Sequence, residues 1–126
     1  MIDKWNDIWL ELNECIIKEV PEKDYHKMVE VTIGYMGWSK AKKEIHHKKR
    51  FPSGHSYVEA DVLIEKDGEP QWVVEVKEPK HKQTKEDLVQ LFSYMRLAKL
   101  PLGLYIGEKI ELFYDKDDSS DPISVF

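Results

Sequence analysis

Cysteine is almost missing from this chain: Cys15 is the only one in 126 residues. A single thiol excludes an internal disulfide and any zinc site built from several cysteines, and it points to a cytoplasmic setting. Long hydrophobic runs are missing too. No stretch is apolar enough to cross a membrane, and the opening MIDKWNDIW carries acids where a signal peptide would be hydrophobic. Internal repeats and low-complexity segments are absent, and His46, His47, His55 and His81 lack the spacing of a histidine metal motif. Positive charge is in deficit. The net charge of −5 gives no overall electrostatic case for nucleic acid. What remains is 41% hydrophobic and 34% charged, the balance of one small globular domain over residues 1–126.

The charge is unevenly spread. Lys40 to Arg50 (KAKKEIHHKKR) is basic and Asp115 to Asp121 (DKDDSSD) is acidic. The basic run has two readings of equal weight: an edge strand protected by charge, or a surface that tracks phosphates. The apolar ending from Pro122 to Phe126 leads us to expect a fragment of a longer protein.

Hydrophobic spacing predicts a helix over residues 3–19, with Asp3 as N-cap and Trp5, Ile8, Trp9, Leu12 and Ile16 on one stripe. Pro21 ends it. A second helix runs from Glu22 to Met36 with Tyr25, Met28, Val29, Thr32, Ile33 and Met36 inward, and Gly37 stops it. A strand over 43–51 and a turn at Pro52-Ser53-Gly54 follow. The stretch from Tyr57 to Lys77, YVEADVLIEKDGEPQWVVEVK, reads as two strands joined at Asp67-Gly68, the strongest turn signal in the chain. Residues 84–99 form a helix capped by Thr84, with Leu88, Leu91, Phe92 and Met95 inward and Gln90 and Tyr94 stacked on one flank. Two strands, 102–106 and 109–114, close the order.

The central hairpin holds the chemistry. Folding about Asp67-Gly68 brings Asp61 across from Val74 and Glu75, although Pro70 cannot donate to a ladder and leaves the register open. Glu75 and Lys77, two apart, project from the same strand face. Acids and a lysine among Val, Leu, Ile and Trp are costly to desolvate unless they pair or hold a metal. Neighbouring carboxylates repel, and a divalent cation relieves that repulsion. The competing reading is an ordinary surface hairpin with Lys77 in a cross-strand ion pair.

Asp61, then Glu75-Val76-Lys77, then Gln90 to Tyr94 (QLFSY) resembles the D…ExK…QxxxY pattern of the PD-(D/E)XK nuclease superfamily. Within it, the N-terminal nuclease domain of type I restriction enzyme R (restriction) subunits is most similar, through EKDYHKMVEVTIGYMGW, ADVLIEKDGEPQWVVEVKEP, QLFSYMR and GLYIGEKIELFYD. Ala60 stands where the superfamily usually has proline. The resemblance implies an α/β, restriction-endonuclease-like core in the order α-β-β-β-α-β-β over residues 22–126, a mixed central sheet flanked by helices, with an extra N-terminal helix in residues 1–20. It implies that Asp61, Glu75 and the backbone carbonyl of Val76 bind magnesium, for which manganese could substitute. Lys77 would orient the attacking water, and Gln90 and Tyr94 would line the site. Glu22, or else Glu30, would add a third acid; position on the helix stripe favours Glu22 and turns Glu30 toward solvent. DNA would be the substrate, modification and specificity subunits the partners, and ATP would act only through a motor region outside this chain. Two functions stay open: a metal-dependent DNA endonuclease, and a module that keeps the fold for nucleic-acid binding or assembly without cutting.

Overall fold

The computed structural model of the chain describes residues 2–116 and 121–125, and side chains from Asn6 onward. The expected packing of Trp5, and Asp117 to Ser120 of the acidic run, lie outside the described residues. Helical periodicity yields α1 over Ile2–Ile17 and α2 over Glu22–Tyr35. Pro21 sits at the boundary with φ −60°, suited to entering a helix without an N–H to satisfy. Ile8 and Leu12 of α1 and Tyr25, Val29 and Ile33 of α2 are buried together, one turn apart along each helix. Trp9, expected on the α1 stripe, is instead exposed. Gly37 leaves α2 at φ +103°, a value open to glycine, and Trp38 then packs edge-on to Trp72 at 6.2 Å.

The strands are β1 (Ile45–Ser53), β2 (Ser56–Lys66), β3 (Glu69–Val76), β4 (Leu102–Ile106), β5 (Ile110–Tyr114) and β6 (Ile123–Ser124), with α3 (Lys85–Leu97) between β3 and β4. They form one mixed sheet in sequence order. Every pairing is antiparallel except β3–β4, which is parallel and therefore needs a crossover. α3 is that crossover. The chain is thus an α/β protein, with α1 and α2 packed on one core of the sheet and α3 on another. The first turn differs from expectation: Pro52 and Ser53 belong to β1, and the reversal falls at Gly54-His55. Asp67 and Gly68 both take positive φ, the conformation a two-residue hairpin turn demands. Pro70 leaves its mark one residue on. The register shifts between Ile64↔Trp72 and Glu65↔Pro70, so Gln71 is an extra residue on β3.

A second irregularity matters more. Alternation along β2 breaks between Ala60 and Leu63, which pack into the same core although they are three apart. Asp61 lies at the break. Across from it, Lys48 of β1 has φ +54°, a left-handed conformation that costs a side-chain-bearing residue about 1 kcal/mol. His47↔Val62 and Lys49↔Ala60 hold the register on either side.

A candidate metal-assisted hydrolytic site

The β2–β3 ladder ends at Val62↔Val74. Beyond that point the N–H of Val76 has lost its strand partner, and it donates instead to Asp61 Oδ2 at 2.8 Å. An aspartate carboxylate thus replaces a ladder carbonyl, as a buried N–H requires. On the other side, the N–H of Lys77 donates to Ile106 O at 2.9 Å and prolongs the β3–β4 pairing. The end of β3 is therefore held from both flanks, with Glu75, Val76 and Lys77 in fixed succession.

Glu75 is only 4% exposed. Burial, with the Asp61 carboxylate beside it, pushes its pKa up to about 8, against a smaller opposing effect of Lys77. The Lys77 ammonium stands 3.4 Å from Glu75 Oε1 and 4.0 Å from Asp87 Oδ1. Burial works against its charge, but Glu75, Asp87 and Asp61 outweigh burial and raise its pKa. Lys77 is thereby a fixed cation between two acids, reached from solvent through its half-buried side chain.

Asp87, at the start of α3, is a neighbour of Lys77 that was not among the expected site residues. Thr84 Oγ1 accepts from the Asp87 N–H at 3.1 Å, and Asp87 Oδ2 accepts from the Thr84 N–H at 2.9 Å, a reciprocal capping box at the start of α3. The same Oδ2 lies 2.7 Å from His81 Nε2 and accepts from Tyr105 Oη at 3.5 Å. Burial would raise its pKa, but the Thr84 backbone, His81 and Lys77 together lower it. The signal was present but weak: only residues 77–84 separate β3 from α3, which keeps the first turn of α3 within reach of Lys77. Lys48, with Nζ 3.8 Å from Asp61 Oδ1, is the other addition.

Gln90 is exposed on α3, and Tyr94 is buried with its ring edge-on to Phe51 at 6.3 Å. Burial and then Glu65 raise the Tyr94 pKa, so the acid whose field it feels lies at the far end of β2. Among the described residues neither Gln90 nor Tyr94 hydrogen-bonds to Asp61, Glu75 or Lys77. Glu22, the first residue of α2, has no preceding turn to cover it; its side chain is 58% exposed and 3.5 Å from His26. Glu30 does not turn to solvent as expected. It is 32% exposed and reaches Lys40 at 3.2 Å and His47 of β1 at 3.6 Å. Among the described residues no three His, Cys, Asp or Glu side chains come together as a metal cluster, so neither helical acid joins Asp61 and Glu75 in one.

Asp61 and Glu75 nonetheless have the chemistry of a hard-cation site. They are oxygen donors, one of them desolvated to the point of holding a proton near neutral pH, and a divalent cation would take the proton's place. No protein-family model matches the chain, and no curated protein matches it. Among the described residues no helix is long and apolar enough to cross a membrane.

Proposed function

We propose that this chain is a metal-dependent DNA endonuclease domain with a restriction-endonuclease-like core, of the kind carried by type I restriction enzyme R subunits. The observation that carries the reading is the join of Asp61 to Val76 across the parted β2 and β3, with Glu75 and Lys77 on either side. Asp61, Glu75 and the Val76 carbonyl would hold magnesium or manganese. Bound there, the metal supplies Lewis acidity toward a phosphoryl oxygen and lowers the pKa of a bound water. Lys77 offsets charge on the phosphate and orients the attacking water through its ammonium. Asp87 positions Lys77 from the α3 side, and His81 and the Tyr105 hydroxyl hold Asp87 in turn. DNA, delivered with modification and specificity subunits, is the substrate; ATP belongs to a motor outside this chain.

One observation favours the second reading, a fold module that binds or assembles without cutting. Tyr94 is packed into the core, and the helix contributes Asp87 to the site in place of the expected QxxxY pair. Plasmid nicking in magnesium or manganese decides between the two. Asp61→Asn, Glu75→Gln and Lys77→Met should each abolish nicking with the circular dichroism spectrum unchanged. Nicking retained by all three variants, or absent from the unaltered chain in both metals when it is assayed together with the modification and specificity subunits and the motor, rejects the endonuclease.

A further inference from the structure

α2 and β1 border an open cleft of about 520 Å³, with Lys48 in its lining. Lys23, Lys27, Lys40 and Lys48 line it against Glu22 and Glu30, so it carries positive charge on a chain whose net charge is −5. The two glutamates are already engaged. Glu30 lies against Lys40 and His47, and Glu22 against His26. Lys23 and Lys27 are exposed, four residues apart on one face of α2, and among the described residues no acid lies within ion-pair distance of either. Like charges at that spacing repel and weaken a helix, which an anion lying across both would reverse.

Lys48 joins the cleft to the carboxylate pair. It lines the cleft, and its ammonium is 3.8 Å from Asp61 Oδ1. The left-handed backbone at Lys48 occurs where β1 passes Asp61, in a strand whose neighbouring pairs keep register. Local strain of this sort persists where the surrounding structure enforces it, and it gathers at functional positions.

We infer that the α2–β1 cleft seats the phosphate backbone of a DNA strand as it runs to the Asp61–Glu75 pair, with Lys23 and Lys27 on consecutive phosphates and Lys48 on the phosphate nearest the pair. This rests on the endonuclease reading for the identity of the strand. It extends the expected phosphate surface on the basic run, which holds Lys40 and Lys48, to Lys23 and Lys27 of α2, outside that run.

The test is fluorescence anisotropy of a short labelled DNA duplex at low salt, with metal chelated so that nothing is cut. Each lysine–phosphate contact contributes a slope of about −0.9 to the dependence of log K on log salt. Lys23→Gln/Lys27→Gln should therefore weaken binding and flatten the slope by about 1.8. Lys66→Gln/Lys99→Gln, the same charge change away from the cleft, should leave the slope as it is. An unchanged slope in the first variant, equal loss in both, or no binding by the unaltered chain at low salt overturns the cleft. Nicking of unlabelled plasmid by the same proteins reads the carboxylate pair separately. Loss of binding in the cleft variant together with nicking retained by Asp61→Asn, Glu75→Gln and Lys77→Met would keep the cleft and reject the endonuclease; normal nicking with an unchanged slope would do the reverse.

Discussion

Glu75→Gln tests whether the buried pair governs stability as well as chemistry. Glu75 holds its proton more tightly folded than unfolded, with a pKa near 8 against 4.5. Below pH 4.5 both states are protonated and the group is neutral to stability. As pH rises toward 8 the unfolded chain releases the proton first, so folding is progressively disfavoured, and above 8 the loss is complete. At about 1.4 kcal/mol per pH unit, the loss is about 3 kcal/mol by pH 7 and about 5 kcal/mol at full ionisation. Glutamine cannot ionise, so the variant should show little of this slope and should be the more stable protein at pH 8 without metal. Magnesium competes with the proton at the same oxygens. It should stabilise the unaltered chain increasingly from pH 6 to 8 and the variant much less. Urea unfolding followed by circular dichroism across pH 5–9, in chelator and in millimolar magnesium, gives both curves. Parallel pH profiles for the two proteins would refute the assignment of a desolvated, proton-holding Glu75.

Two further substitutions test the frame around the site. Thr84→Ala removes the hydroxyl that accepts from the Asp87 N–H and should cost about 1 kcal/mol by urea denaturation, with faster hydrogen exchange in the first turn of α3. Gly103→Ala places a methyl 2.5 Å from Met95 Sδ and 3.2 Å from Leu91 Cδ1; the thioether must move within a filled core, so the melting temperature should fall by the equivalent of about 1–3 kcal/mol.

Local signals in the sequence were enough to place the three helices and the first five strands. Asp67-Gly68 fixed the hairpin turn, Pro21 and Gly37 bounded α2, and Thr84 began α3. The hairpin, read from its turn, put Asp61 level with Glu75, and the structure has Val62↔Val74 beside them. Pro70 was correctly a source of irregularity, resolved as one extra residue at Gln71. What stayed hidden depends on contacts between distant segments. Tyr94 looked like a polar flank beside Gln90, yet it lies between Leu91 and Met95 closely enough for its ring to enter the core. Glu30 is held by His47, a partner seventeen residues on, which no helical projection includes. Among the described residues β6 pairs only through Phe113↔Ser124 and Tyr114↔Ile123, too short a strand to show a period. Lys48 gave no sign of its left-handed backbone, because lysine is an unusual occupant of that region.

The site forms where the sheet comes apart, and this decides which substitutions are informative. Once β2 parts from β3, the Val76 N–H needs an acceptor, and Asp61 is that acceptor. A carboxylate serves as well as a carbonyl and brings a charge to the end of β3, beside Glu75. Asp61 therefore has one role in folding and one in the proposed chemistry, through the same atom group. Asp61→Ala removes both: it leaves a buried N–H without a partner, at a cost of about 1–3 kcal/mol, and a loss of cutting would follow from disorder alone. Asp61→Asn keeps an oxygen that can accept from Val76 while removing the charge. It also relieves Glu75 of a neighbouring anion, so the Glu75 pKa should fall toward its ordinary value as cutting is lost. A purely structural Asp61 would leave nicking intact in the asparagine variant, because the Val76 hydrogen bond survives. Only an Asp61 that acts through its charge couples the two readouts.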